Sequence, residues 1–199
     1  MSDAFWQGLW QGVFQLVALG VVGFWVNFVY QRFRTRMAAR QELVDEIDQF
    51  TIRLYKPRKM YQRALDLGAG SPGRDDLVLR SIEEVLDATG RFRSLQVKIV
   101  PLFGYHVDLF GYYLAIWRYL KEVRDHMDGG KSLYLHHESP DSADAFYRLM
   151  DAFRYRIQIE PTSDQPPGLV QPPPELLQKM KDRGREIHEQ FFGRDAAAG

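Results

Sequence analysis

AFWQGLWQGVFQLVALGVVGFWVNFVYQ, residues 4–31, contains no Asp, Glu, Lys or Arg. A bilayer's hydrocarbon core is about 30 Å thick and takes about 20 apolar residues in a helix, so this stretch predicts one membrane-spanning helix with margin for tilt. A cleaved signal peptide is the competing reading. It wants a basic segment ahead of its apolar core and a small-residue exit behind it, whereas here the basic residues follow and the exit reads Val29-Tyr30-Gln31.

The flanks predict an orientation. Arg32, Arg34, Arg36 and Arg40 follow the span and only the α-amino group and Asp3 precede it, so the positive-inside rule puts the N-terminus outside and the rest in the cytoplasm. The expected location is the cell inner (plasma) membrane, crossed once, with these four arginines against anionic headgroups at about 1 kcal/mol for each charge near the surface. Trp6 and Trp10 at one end, and Trp25, Phe28 and Tyr30 at the other, suit the two headgroup layers.

The span has two faces. At about 100° per residue, Gln7, Gly8, Gln11, Gly12, Gln15, Gly23 and Asn27 share one side, while Trp6, Trp10, Val13, Phe14, Val17, Val21, Phe24 and Phe28 share the other. Bulky side chains suit lipid, whereas small and amide side chains suit another helix. Gly8 and Gly12 permit close backbone approach, and an amide in hydrocarbon gains about 0.6 to 2 kcal/mol from an interhelical partner. Gly8, Gly12, Gln15, Gly23 and Asn27 are therefore the expected association residues, for a homo-oligomer or for a partner's membrane helix. Gln7 and Gln11 also fit the headgroup layer, which leaves Gln15 and Asn27 as the telling pair; an amide ladder lining a small pore is a further alternative.

The chain of 199 residues leaves a cytoplasmic part of single-domain length. Its 26 basic residues balance 26 acidic ones, so no global field points to nucleic acid. The absence of Cys removes disulfides, thiolate nucleophiles and thiolate metal sites together.

Beyond the span the pattern is all-α, a cytoplasmic bundle of about four to five helices. Phe33, Met37, Val44, Ile47, Thr51, Leu54, Tyr61 and Leu65 mark one coiled-coil-like seam of a helix continuing from the membrane, which Pro57 is expected to kink or end near Tyr55. The glycines between Leu67 and Gly73 form a loop. A second helix opens at Arg74 with Asp75 as its expected N-cap, buries Leu77, Ile82, Val85, Leu86, Phe92 and Leu95, and runs to Pro101. Residues 95–100 also alternate like a strand, but no second strand is in view to pair with them.

Residues 102–125 are rich in aromatics. A second span from Ile99 to Trp117 would carry His106 and Asp108 near its middle, with Asp alone costing about 2.5 to 3.5 kcal/mol at a helix centre, so a central bundle helix through Val107, Phe110, Leu114, Trp117 and Leu120 or Lys121 is the better reading, with Gly104 and Gly111 admitting a neighbour. Ser139 and Pro140 suit a helix start ahead of Phe146, Tyr147, Met150 and Phe153. The Pro-rich stretch that follows is an expected polyproline-like connector. A last helix from Glu175 contacts the core through Leu176, Leu177, Met180, Ile187 and Phe191, and Gly184 and the Ala-rich end suggest that it frays. The expected divisions are thus 1–31 anchor, 32–158 bundle, 159–174 linker and 175–199 terminal helix and tail.

Motifs for chemistry are sparse. Gly68-Ala-Gly-Ser-Pro-Gly73 lacks the lysine of a phosphate loop and no strand precedes it. His136-His137-Glu138, with His126, lacks helical metal-ligand spacing, and His106 with Asp108 would need a third orienting group to act as acid and base. The expectation is a non-enzyme with no cofactor, no metal and no small-molecule substrate. Arg53, Lys56, Arg58, Lys59 and Arg63 form a candidate partner-binding basic face. On an upright helix Lys56 would lie about 36 Å past Arg32, several times the Debye length of about 8 Å, so lipid attraction would not reach it. An acidic partner, or internal pairing with Glu83, Glu84 and Asp87, fits better than nucleic acid.

Three functional classes follow from this pattern. The leading one is a membrane-tethered helical interaction module, an adaptor or accessory subunit. The others are an oligomerising membrane-disrupting effector of toxin or phage-defence type and a membrane-bound enzyme.

Overall fold

The structure, a computed structural model, describes residues 3–133, 142–163 and 172–193. Among them it is all-helical, with α1 at Asp3–Asp66, α2 at Arg74–Phe103, α3 at Val107–Asp128, α4 at Ser142–Ile159 and α5 at Pro174–Phe192. The chain divides into two compact units, Met1–Ala39 and Arg40–Gly199. The first holds the N-terminal part of α1. Among the described residues, α1 is the one helix with a segment long and apolar enough to cross a membrane, and that segment is uncovered by the rest of the chain.

In the second unit, α3 occupies the centre. Leu109, Phe110, Tyr113, Ala115, Ile116, Tyr119, Leu120 and Val123 are all buried, so α3 presents core-facing side chains around most of its circumference. Such a pattern belongs to a helix enclosed by others, and each large apolar side chain buried there contributes about 1.5–3 kcal/mol. Two aromatic layers hold the neighbours. In one, Phe92 of α2 stacks on Tyr113 at 4.9 Å and meets Phe50 of α1 at 5.0 Å and Phe153 of α4 at 6.4 Å. In the other, Tyr119 stacks between Phe146 of α4 at 4.7 Å and Phe192 of α5 at 4.8 Å.

The closest helix approach is α3 on α5. A Cβ on Gly111 would lie 2.7 Å from Arg183 Cγ, and one on Gly184 would lie 2.9 Å from Leu114 Cβ and 3.3 Å from the Gly111 carbonyl oxygen. Gly184 is therefore a buried packing residue and not a site of fraying, and the glycine of one helix is what lets the other's backbone approach.

Several local expectations change. Pro57 does not end α1, which continues to Asp66 with Leu54, Pro57, Tyr61 and Ala64 buried on both sides of it. The lost hydrogen bond is offset by that packing, and Tyr61 anchors the far side by donating its hydroxyl to the Lys131 carbonyl at 2.7 Å. The core seam of α1 starts at Leu43 and Val44, because Phe33 and Met37 are exposed. Asp75 is not the N-cap of α2; Gly73 at φ 81° holds that place, and Asp75 and Asp76 lie in the first turn, where carboxylates complement the helix dipole. The helix passes Pro101 and stops at Gly104, whose φ of 67° and ψ of −158° no L side chain tolerates readily. Leu86 and Leu177 face solvent rather than the core, and Phe192 is buried instead. Ser139 and Pro140 lie outside the described residues, as do residues 164–171 of the Pro-rich connector. At the connector's ends, the Ser163 N–H donates to the Leu102 carbonyl at 2.8 Å and Pro173 adopts polyproline dihedrals, φ −51° and ψ 144°.

Replacing Gly184 by Ala should destabilise the bundle by about 1–3 kcal/mol despite the better helix propensity of Ala, because Leu114 Cβ sits too near its own backbone to move aside. Thermal unfolding of the detergent-solubilised chain, followed by circular dichroism, reads this loss directly.

Candidate functional site

Within the first unit, helical periodicity holds through the whole uncharged stretch. Gly8, Gly12, Gln15, Gly23 and Asn27 accordingly fall within about 120° of arc, and Phe14, Val17, Val21, Phe24 and Phe28 lie on the opposite side. Gln15 and Asn27 are exposed, and a Cβ on Gly20 or Gly23 would meet nothing within 4 Å. Phe14 and Phe24 are each 74% exposed and Trp25 is 65% exposed, values that water would penalise and lipid would not.

The basic residues that follow the apolar segment separate into two kinds. Arg32 and Arg34 are exposed. Arg40 instead serves the fold: its guanidinium donates to the carbonyls of Gln158 at 2.8 Å and Glu160 at 2.5 Å, and it lies over the Phe103 ring at 5.5 Å. Burial lowers the Arg40 pKa and the nearby Glu160 carboxylate opposes that shift.

Arg40 belongs to a polar network that joins all five helices at one end of the second unit. The Glu160 carboxylate, 11% exposed, lies 3.0 Å from His106 Nε2 and 3.9 Å from Arg156 Nε. Arg156 and Arg183 donate to the two oxygens of Asp108 at 2.9 Å and 2.8 Å. α4 and α5 are thus pinned to the first turn of α3 by one carboxylate, and the Ser163–Leu102 bond adds the end of α2. Burial alone would raise the Asp108 pKa, but hydrogen bonds and charge from Arg183 and Arg156 outweigh it and hold the carboxyl below its ordinary value. His106 and Asp108, considered together as an acid and base, therefore face different partners: His106 meets Glu160, and Asp108 meets Arg156 and Arg183. Neither their spacing nor the helical pattern indicated partners that lie 48 and 75 positions away from Asp108 along the chain.

The basic face of α1 is not brought together as one surface. Arg58 turns inward, donating to the Tyr119 hydroxyl at 2.5 Å and lying 5.8 Å from that ring's centre. Burial pushes the Tyr119 hydroxyl up to about 12, against the pull of Arg58, so it remains a neutral acceptor. Lys56 pairs with Glu84 of α2 at 2.5 Å, in line with the internal pairing expected for this cluster, and Lys59 lies 5.4 Å from the Tyr55 ring centre. Arg63 is exposed in the last turn. Arg53 and Lys56 line an open groove of about 740 Å³ between α1 and α2, whose walls also carry Glu46, Glu84, Asp87 and Arg91. Charges of both signs line it, and one of them, Glu46, is held by Lys98, which also bonds Glu42 at 2.8 Å. The hydrogen bonds of Glu42 and Glu46 raise the Lys98 pKa.

Among the described residues no group of three or more His, Asp or Glu is placed to hold a metal ion. His136, His137 and Glu138 lie outside them, and His126 Nδ1 is 2.9 Å from the Ser132 carbonyl. Comparison with known protein families, with curated proteins and with solved structures found no match to this chain.

Asp108→Asn should cost about 1.5–3 kcal/mol at pH 7, since it removes one carboxylate from two arginines. A carboxyl with a depressed native pKa stabilises the fold above its unfolded pKa of about 3.9, and that contribution disappears as pH falls through the native value. The difference between the two proteins should therefore hold from neutral pH down to about pH 5 and close at more acid pH. Denaturant midpoints measured for both proteins across that range check the sign.

Proposed function

We propose that this protein is a membrane-tethered helical interaction module, anchored by its first helix and holding its bundle in the cytoplasm. The observation that carries the reading is the contrast between the two units: Phe14, Val17, Phe24, Trp25 and Phe28 are exposed, while Arg40–Gly199 encloses its own core. An apolar helix with no protein cover has lipid as its natural environment. The arginines at 32, 34 and 36 support an N-terminus outside and a cytoplasmic bundle at the inner (plasma) membrane. In this reading, Gly8, Gly12, Gln15, Gly23 and Asn27 pair the span with a second copy or with another protein's membrane helix, and the chain serves as an adaptor or accessory subunit. His106 and Asp108 are assigned structural roles in joining helices, and the reading gives the protein no reaction to catalyse.

The test is the mass of the full-length chain in mild detergent, with protease protection of spheroplasts to fix the orientation. A discrete oligomer or a stoichiometric partner is expected, together with a bundle protected from external protease. The combined substitution Gln15→Leu and Asn27→Leu should leave membrane insertion intact and weaken the assembly about 5- to 30-fold, the equivalent of about 1–2 kcal/mol for lost interhelical amide bonds. A monomer indifferent to those substitutions would reduce the span to an anchor. Growth inhibition and depolarisation that depend on the span would move the protein to the membrane-disrupting class.

A further inference from the structure

In the second unit, α1 and α2 lie antiparallel and share one outward face. Their levels are fixed by Phe50 against Phe92 at 5.0 Å, by Lys56 bonded to Glu84 at 2.5 Å and by Lys98 bonded to Glu42 at 2.8 Å. Away from the core, α2 carries an outer stripe of Leu79, Glu83, Leu86, Gly90, Arg93 and Val97, all exposed and within about 80° of arc. Beside it α1 exposes Asp45, Ile52, Lys56, Lys59 and Arg63 within about 60° of arc. Ile52 is 73% exposed, and a Cβ on Gly90 would meet nothing within 4 Å. Among the described residues, Asp45, Lys59, Arg63, Glu83 and Arg93 stand in no ion pair within their own chain. The charges on the two helices run in complementary order. Acid precedes base along α1, while on α2 Arg93 lies toward the level of Asp45 and Glu83 lies level with Lys56 and Lys59.

We propose that this face pairs with the same face of a second copy about a two-fold axis running along the helices, so that each α1 packs antiparallel on the second copy's α2. Rotation about that axis leaves every residue at its own level and both copies of α1 pointing the same way, as two chains anchored in one membrane require. Ile52 then meets Gly90 and Leu86 of the second copy, where the missing side chain at position 90 lets the backbones approach. Glu83 comes between Lys56 and Lys59, and Asp45 comes within reach of Arg93. The interface is isologous, so each contact occurs twice. Placing α1 on α1 and α2 on α2 in the same orientation is opposed by these residues, because it would set Lys59 against Lys59 and Glu83 against Glu83. The groove between α1 and α2 faces its own copy across the axis. Its charges, Glu46, Glu84 and Asp87 against Arg53, Lys56 and Arg91, cancel, so no net charge opposes that closure. From Asp45 to Arg63 the seam runs about 27 Å at 1.5 Å per residue, and its exposed ion pairs are individually weak. Pairing is therefore favoured where both chains are concentrated in one membrane. It rests on the shared anchorage proposed above but uses no residue of the span.

The chain has no cysteine, so introduced thiols are the only ones present. Full-length Lys59→Cys and Glu83→Cys chains bearing different tags would be co-expressed in one membrane and oxidised. The expected main product is a disulfide-linked dimer containing both tags. Either variant expressed alone stays monomeric on a denaturing gel, since like positions lie diagonally across the four-helix array, about 14 Å apart for neighbouring axes about 10 Å apart, and a disulfide needs Cα atoms within about 7 Å. A mixed dimer that is absent, or no more abundant than the products of the single variants, would overturn the proposal. Alkaline carbonate extraction of the same membranes reads anchorage separately. No mixed dimer from chains that stay membrane-bound overturns the pairing alone, whereas no mixed dimer together with release of the chains overturns the anchored reading as well. A second measurement uses charge, with thiols at Asp45 and Arg93 as the reporters: Lys59→Glu or Glu83→Lys alone should reduce the mixed dimer several-fold, and both together should restore most of it. Failure to restore would also overturn the pairing. Repeating the crosslinking with Gln15→Leu and Asn27→Leu separates the two surfaces, because a product that persists there belongs to the bundle whatever becomes of span pairing.

Discussion

Enclosure of α3 is the constraint on which the second unit depends. A helix apolar around most of its circumference has to be covered on all those sides, and α1, α2, α4 and α5 are the cover. The glycine pair at 111 and 184 brings α5 closest, while Phe50, Phe92 and Phe153 fill the wider spaces between α1, α2 and α4. Large rings on one side of α3 and bare backbone on the other are two solutions to one packing problem: interiors must be filled at crystal-like density without strain.

The ionic network at the end of the bundle adds specificity of arrangement to that packing. Apolar surfaces are non-directional, and several rotations of α4 and α5 about α3 would bury similar area. Asp108, with one arginine from each of those helices, restricts the choice, since a half-buried carboxylate left without its partners is expensive. Arg40 performs the same service for α1, by reaching the backbone carbonyls at the C-terminal end of α4. The residue that leads the second unit is thereby fixed to the chain segment leaving α4.

Among the described residues, the N-terminal apolar helix and the outer stripe of α2 carry apolar side chains that the fold itself does not consume. They differ in chemistry. The first is broad, aromatic and uncharged, the composition of a helix that could cross a membrane. The second is narrow and mixes exposed leucine and valine with one acid and one base. Neither is a cleft, and the open groove between α1 and α2 mixes charges of both signs with apolar residues such as Phe50, Ile52 and Leu95.

Local pattern was enough to read the helical class, the single apolar segment, the breaks at the 67–73 loop and the Pro-rich connector, and the central place of α3. Periodicity, charge spacing and Gly or Pro content act within a few turns of chain, so a linear string carries them. The roles of Arg40, Arg58, Leu86 and Gly184 were decided only by the tertiary structure. Arg40 and Arg58 read as members of basic runs, and their partners sit about Glu160 and at Tyr119, far along the chain. Leu86 fits a core stripe by composition, but α2 has apolar residues on two opposite faces, and only the position of α3 selects which is buried. Gly184 looks like a weak point in an isolated helix and is the contact that admits α3. Helix formation is a property of neighbours in sequence, whereas the direction a helix turns its faces, and the charge each arginine meets, is a property of neighbours in space.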